Sequence, residues 1–251
     1  MYMRLVQFEV TEGTLPSLQQ VYEQRIIPAL HKVQGCRYAG LMQSIHNPEQ
    51  CISLTLWATP DSAQSYEKRG QFQRLLDEIR PFFSSSSDFT VRLSENLTLE
   101  YVPVPNGPVV RNFPVAERSD SPDLALEEGH ATWLRIVSLK ILPGKLHEFK
   151  KVYASQIIPA LRRVKGCRHV YLLESEDRGY ELFSVTRWDN QQDAEAYERS
   201  GLFEELLESQ KHLLSGLYQW KRGLGKTQAS LSATSDDVVV EHYTILTGKD
   251  L

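Results

Sequence analysis

The side chains of this 251-residue chain that could carry chemistry are seven histidines, three cysteines and a few aromatic residues that recur at one spacing. A metal centre needs donors close enough in sequence or fold to reach one ion, as in HxxxH, HxH or CxxC patterns. His31, His46, His130, His147, His169, His212 and His242 show no such spacing, so no metal site is expected. Cys36, Cys51 and Cys167 are too scattered for a disulfide framework or a metal knuckle; they are expected to pack as small buried thiols. A glycine-rich phosphate loop and a GxSxG elbow are both missing. The basic run Arg162-Arg163-Val164-Lys165, with Arg168, could attract an anion, but it reads as a solvated helix end, where cations are favoured. Tyr66 and Tyr197 remain, which read first as amphipathic packing residues of a helix and second as hydroxyls that could hydrogen-bond a ligand. Trp57 and Trp188 have the bulk to close a core at the end of a strand.

These aromatic pairs belong to an internal duplication. Tyr22, Ile26, Ile27, Pro28, Ala29, Leu30, Val33, Gly35, Cys36 and Arg37 recur 131 residues later as Tyr153, Ile157, Ile158, Pro159, Ala160, Leu161, Val164, Gly166, Cys167 and Arg168. Trp57 with Trp188, Tyr66-Glu67 with Tyr197-Glu198, Gly70 with Gly201 and Phe72 with Phe203 keep that offset. Short solenoid repeats come in threes or more, so two long copies mean two domains. The boundaries read as 1–102 for the first, 103–130 for a Pro- and Ser-rich linker and 131–251 for the second.

Each copy has the elements needed to position such side chains. Alternating residues predict strands over Leu5 to Val10 and Ile136 to Ile141, with Val6, Phe8, Val10 and Val137, Leu139, Ile141 on the apolar face. A helix follows with Leu15, Leu18, Val21, Tyr22, Ile26 or Leu146, Phe149, Val152, Tyr153, Ile157 in its buried stripe. Pro28 and Pro159 predict a kink or break. Strands from Arg37 to Ile45 and from Arg168 to Ser175 lead through turns at His46-Asn47-Pro48 and Asp177-Arg178-Gly179 into strands ending at Trp57 and Trp188. A second helix carries Ala63, Tyr66, Phe72, Leu75 and Leu76 or their partners, and fourth strands are expected near Phe89 to Leu93 and Leu217 to Lys221. The order β-α-β-β-α-β is the ferredoxin-like unit, an α+β fold whose sheet leaves one face bare for a partner. Leu97 to Tyr101 and Val238 to Tyr243 read as arms that could cross to the other copy and cap its sheet edge.

Composition bounds the function further. With 41% hydrophobic and 24% charged residues the chain is ordinary globular protein, and a net charge of −4 argues against a nucleic-acid partner. No apolar run approaches the ~20 residues of a membrane span. The few cysteines and a first strand starting almost at the N-terminus point to the cytoplasm.

Pro143-Gly144-Lys145 with Phe149, Gly166-Cys167-Arg168, Thr186-Arg187-Trp188, Ala194, Tyr197, Gly201-Leu202-Phe203 and Leu206-Leu207 together resemble the antibiotic biosynthesis monooxygenase domain. Gly35-Cys36-Arg37, Leu56-Trp57, Tyr66, Gly70 and Phe72 repeat that frame in the first copy. The resemblance implies two ferredoxin-like domains packed sheet to sheet as a dimeric α/β barrel, here within one chain. Further self-association is left open. It also implies a ligand pocket between sheet and helices in each copy, with Trp57, Tyr66, Trp188 and Tyr197 as substrate-binding candidates.

Some members of that superfamily oxidise polycyclic phenols to quinones with molecular oxygen and no cofactor; others degrade haem. The haem ligand histidine is replaced here by Leu75, Leu76, Leu206 or Leu207, and the strand-one asparagine by Gln7 or Ser138, so no haem and no other cofactor is expected. Polar positions expected at a pocket are Gln43, Ser53, Glu174 and Ser184, with no His or Arg set repeated in both copies. The copies are therefore expected to agree at packing positions and differ at polar ones, and catalytic residues are not assigned. The resemblance implies a cofactor-independent monooxygenase acting on a small aromatic or quinol-type molecule. The alternative is a non-catalytic small-molecule-binding or regulatory barrel.

Overall fold

A computed structural model describes residues 1–84, 89–93, 99–103, 107–119, 133–176, 180–215 and 238–251, with 89–93 and 99–103 described in their backbone only. In the first copy β1 (Tyr2–Glu9) leads through Gly13 into α1 (Leu15–Val21), a π-helical turn (Tyr22–Ile26) and α2 (Ile27–His31). β2 (Cys36–Ser44) and β3 (Gln50–Trp57) form a hairpin, followed by α3 (Pro60–Lys68) and α4 (Gln71–Ile79). A two-stranded ribbon of β4 (Phe89–Leu93) and β5 (Leu99–Pro103) precedes β6 (Val109–Arg118). The second copy repeats the series as β7 (Trp133–Lys140), α5 (Leu146–Val152), a π turn (Tyr153–Ile157), α6 (Ile158–Leu161), β8 (Cys167–Glu174), β9 (Glu181–Trp188), α7 (Gln191–Arg199), α8 (Leu202–Gln210) and β10 (Val238–Asp250).

The helices start and stop for local reasons. Thr59 caps α3 by accepting the Ser62 N–H at 3.2 Å, and Asn190 caps α7 by accepting the Asp193 N–H at 2.9 Å. The expected single second helix is two in each copy. Gly70 and Gly201 sit at φ 69° and 79°, a left-handed conformation that ends one helix and sets the angle of the next. The kink expected at the prolines is instead a π turn. Pro28 has no N–H to continue the ladder, and the N–H of Ile27 reaches back five residues to the Tyr22 carbonyl; Ile158 does the same with Tyr153.

The eight long strands close into one barrel in the order β1-β3-β2-β10-β7-β9-β8-β6. The architecture is the expected one: two tandem ferredoxin-like units form a single-chain dimeric α/β barrel. The seams differ from expectation. The fourth strand of the first unit is β6, which lies inside the segment 103–130 read as linker. It pairs with β1 from Gln7↔Val109 to Tyr2↔Pro114, then with β8 of the other copy through Val115↔Leu173 to Arg118↔Tyr171. Phe89 to Leu93, expected to be the fourth strand, pairs among the described residues with Leu99–Pro103, so the described part of the first arm, Leu99 to Tyr101, lies in a hairpin with it and not on the other copy. Val238 to Tyr243 does cross: its 13-residue strand pairs with β7 and then with β2 of the first copy. The expected turn at Asp177 to Gly179 and strand at Leu217 to Lys221 lie outside the described residues.

Alternation along the strands then builds three cores. Tyr2, Val6 and Phe8 face α1–α4, Val137 and Leu139 face α5–α8, and Met3, Leu5, Leu134 and Ile136 point into the barrel. Across the barrel the rings of Phe113 on β6 and Phe183 on β9 lie 4.9 Å apart, tying the first copy's last strand to the second copy's sheet. Phe113 is 2% exposed. Phe113→Ala is expected to cost about 3–5 kcal/mol. Because the barrel interior is shared, both halves should unfold in one transition in urea, before and after the substitution. Two separated transitions in the parent chain would show that the halves are independent domains.

Candidate functional site

Each helix-covered core contains one small cavity, and the two are built from the same residues. In the second copy a cavity of about 40 Å³ is walled by Arg135, Tyr153, Ser184, Thr186, Tyr197 and Phe203, with Leu206, Leu207 and other apolar side chains. In the first, a cavity of about 30 Å³ is walled by Arg4, Tyr22, Ser53, Thr55, Tyr66 and Phe72, with Leu75 and Leu76. All six named pairs stand at the 131-residue offset. The expectation that the copies differ at polar positions, with no arginine set common to both, is therefore wrong. β1 and β7 begin earlier than expected, at Tyr2 and Trp133. The apolar face of Val6 and Phe8 continues backwards through Arg4, and that of Val137 and Leu139 through Arg135.

The arginines dominate the electrostatics. Arg4 and Arg135 are each 2% exposed. Arg4 donates through Nη2 to Glu67 Oε2 at 2.7 Å and through Nε to Asn112 Oδ1 at 2.7 Å. Arg135 donates through Nε to Glu198 Oε1 at 2.6 Å, and the same oxygen lies 2.8 Å from His242 Nε2. The guanidinium of Arg4 lies 5.2 Å from the Phe72 ring centre, and that of Arg135 lies 4.1 Å from the Phe203 ring. A guanidinium keeps its charge and wants every N–H satisfied. Yet among the described residues no acceptor reaches Arg4 Nη1 or Arg135 Nη2. A buried donor without a partner costs about 1–3 kcal/mol. Each cavity therefore has in its wall a buried arginine with one nitrogen that no acceptor reaches among the described residues, set among apolar and aromatic side chains.

The tyrosines complete the polar lining as neutral hydroxyls. Tyr153 Oη lies 2.7 Å from Ser184 Oγ, and Tyr22 is hydrogen-bonded to Ser53. Burial pushes Tyr22, Tyr66 and Tyr153 well above the ordinary phenol value. Burial raises Tyr197 to about 12, although Arg135 pulls the other way. Burial likewise raises the thiols of Cys36 and Cys167 to about 12, which removes them as nucleophiles at neutral pH.

Of the sequence candidates, Tyr66 and Tyr197 lie on the cavity walls, while Trp57 and Trp188 lie one layer behind. Trp57 packs at a tilt against Tyr66, ring centres 5.0 Å apart, and donates its N–H to Thr55 Oγ1 at 2.9 Å. Trp188 stacks on Tyr197 at 5.2 Å and donates likewise to Thr186 at 2.9 Å. Each indole thus fixes two cavity residues without touching the cavity. Ser53 and Ser184 are wall residues, but Gln43 donates to the Pro48 carbonyl and Glu174 pairs with Lys150. Leu75, Leu76, Leu206 and Leu207 supply hydrocarbon wall, on the helices that follow Gly70 and Gly201.

Comparison with known proteins places this geometry. The model of the family described as antibiotic biosynthesis monooxygenase matches residues 1–78 and again 134–209. The chain belongs to that family, with one domain in each copy. A solved structure of a proposed monooxygenase from Fusobacterium nucleatum superposes with a TM-score of 0.68 at 10% identity, covering 99% of this chain and 94% of that one. A proposed monooxygenase from Lactobacillus acidophilus gives 0.65 at 7% identity, covering 99% and 95%. An anthrone oxidase-like protein gives 0.58 at 12% identity, covering 99% and 92%. At such low identity these likenesses concern the fold. No curated protein sequence matches the chain. Among the described residues no helix is long and apolar enough to cross a membrane.

The Glu198 pair gives a stability test. Burial alone would raise this carboxyl, but the hydrogen bond from His242 and the charge of Arg135 outweigh it and hold it at about 2. A depressed folded value stabilises the fold above the ordinary glutamate value near ~4.3, and that contribution is lost as pH falls towards 2. Glu198→Gln is expected to lose on the order of 1–2 kcal/mol at pH 7, allowing for partial solvent exposure. The gap between variant and parent in urea unfolding should close as pH drops from 5 to about 2. A gap that stays constant over that range would refute the assignment.

Proposed function

We propose that the chain is a cofactor-independent monooxygenase that binds a small phenolic or quinol-type molecule in one or both cavities. The observation that carries this reading is the buried arginine with an unfilled N–H, present in both copies among aromatic walls. Molecular oxygen reacts with such a substrate once it has become an electron-rich anion, so the protein must bind the phenol, favour its ionised form and keep it in place. Arg4 or Arg135 supplies the charge that favours the phenolate. Tyr66 or Tyr197 faces the ring as a neutral hydroxyl, and Trp57 or Trp188 holds that tyrosine from behind. For a phenol oxidised to a quinone, one oxygen atom enters the ring carbon opposite the hydroxyl and the other leaves as water. The substrate provides both hydrogens of that water, and no outside reductant is needed.

One observation favours the second reading, a non-catalytic barrel. The cavities, about 40 and 30 Å³, hold water-sized guests, whereas ligand pockets span roughly 300–1,000 Å³. Catalysis therefore requires α4 or α8 to lift, and Gly70 or Gly201 is the joint at which Phe72, Leu75 and Leu76, or Phe203, Leu206 and Leu207, could swing aside. The deciding experiment is oxygen uptake with a panel of naphthols, anthrones and hydroquinones, using the parent chain, Arg4→Lys and Arg135→Lys. Lysine keeps a positive charge but lacks the fork that joins the acidic partner to the cavity. Loss of one charge-assisted hydrogen bond should lower kcat/KM by about 10- to 100-fold in whichever copy works. No uptake and no binding by the parent chain across the panel would leave the non-catalytic barrel as the function.

A further inference from the structure

The two cavities share their walls but not the group behind the arginine. On β6, Asn112 stands directly across from Arg4; on β10, His242 stands directly across from Arg135. The same cross-strand place thus carries an amide in one copy and an imidazole in the other. In the first copy Asn112 accepts from Arg4 Nε, and Glu67 takes a different nitrogen of that guanidinium. In the second, one oxygen of Glu198 lies between Arg135 Nε at 2.6 Å and His242 Nε2 at 2.8 Å. An amide has a fixed charge near neutral pH, whereas an imidazole is the side chain whose charge changes there.

We propose that His242 is a positioning residue that acts through Glu198 to set how much positive charge Arg135 offers the second cavity, so that this cavity responds to pH and the first does not. When His242 is protonated, the Glu198 carboxylate is shared between two cations and neutralises Arg135 less. When His242 is neutral, Glu198 serves Arg135 alone, and the cavity presents a weaker field to an anion. An anionic phenol is therefore held more tightly in the second cavity at low pH, and this consequence rests on the ligand reading given above. Among the described residues the charged and titratable groups facing His242 are Glu198 on α7, Arg135 on β7 and His46 in the turn after β2 with its ring 6.0 Å away, while Glu241, next along β10, points to the other face of the sheet beside Tyr243. Trp133 covers the imidazole at 6.4 Å without adding charge. His46 is a second imidazole beside it, so its contribution has to be removed separately.

The coupling can be read without any ligand. The side-chain Nε–H signals of Arg4 and Arg135 are followed by ¹⁵N NMR from pH 5 to 8 in the full chain, His242→Asn and His46→Gln, with signals assigned from the two Arg→Lys variants. The expected result is an Arg135 signal that moves with pH in the parent and in His46→Gln, becomes flat in His242→Asn, and an Arg4 signal that is flat in all three. A flat Arg135 signal in the parent, or one that still moves in His242→Asn, overturns the proposal. A second arm measures binding of 2-hydroxy-1,4-naphthoquinone, which is anionic throughout this range. The parent should bind it about tenfold more tightly at pH 5 than at pH 8, and His242→Asn should lose that difference. If Arg135 follows His242 but the naphthoquinone binds at no pH, the coupling stands and the phenol-binding reading fails instead.

Discussion

A four-stranded sheet with apolar side chains on both faces can cover only one of them with its own two helices. Everything else in this molecule follows from that constraint. Val6 and Phe8 are covered by α1–α4, but Met3 and Leu5, alternating with them, need a second cover. The other copy provides it, and the shared interior takes residues from both, including Leu134, Ile136, Phe183 and Val185. Two sheets laid face to face still expose their edges. The long strands β6 and β10 close both seams, each beginning on its own sheet and finishing on the other. Gly40 and Gly248 face each other on one such seam, where a Cβ on either would collide with the Tyr38 hydroxyl.

The same alternation that makes the barrel creates the site. An even-numbered residue of β1 must lie under the helices, and at position 4 that residue is arginine. A guanidinium cannot shed its charge to suit an apolar setting. Its position is tolerable because Glu67 reaches it from α3 and Asn112 from β6, and because its face lies over Phe72. In the second copy Glu198 and Phe203 do the same for Arg135. These partners take some of the guanidinium hydrogens, and among the described residues no acceptor reaches Arg4 Nη1 or Arg135 Nη2. A buried ion pair is a weak device for stability. Its presence in both copies, at the wall of a cavity, is better explained by the charge it makes available than by the fold energy it contributes.

Much of this was legible in the sequence. The 131-residue offset, the strand alternation and the helical stripes predict the architecture that the structure has. Two losses had identifiable physical causes. Clear apolar alternation begins only at Leu5 and Ile136, which leaves Arg4 and Arg135 one residue outside the strands it predicts. A buried charge breaks a hydrophobic pattern at the very place where it matters; the signal that could have recovered it was that these two arginines share the offset of the tyrosines and tryptophans. β6 was missed because Val109 to Arg118 follows a Pro- and Gly-rich stretch and contains Pro114, which argues against a central strand. It survives at Pro114 because that residue lies near the switch from β1 to β8, where the strand also carries a bulge. The tryptophans were placed on the right elements but one layer too far forward, since sequence spacing gives a side chain's face and not its depth.

Carrying both halves on one chain has a consequence that a dimer of identical chains lacks. In a symmetric pair every side chain is present twice, so a change that suits one cavity is imposed on the other. Here the walls have stayed matched at six polar and aromatic positions, which means both cavities kept the demands of their buried arginine. The second layer has not stayed matched: Asn112 and His242 occupy the same cross-strand place and differ in whether their charge can change. Covalent fusion thus lets the halves share one core while their sites acquire different electrostatics. It also ties both sites to one folding unit, because the strands that carry Asn112 and His242 are the two that close the barrel. Whatever charge state His242 adopts is therefore set on a strand that belongs structurally to both copies.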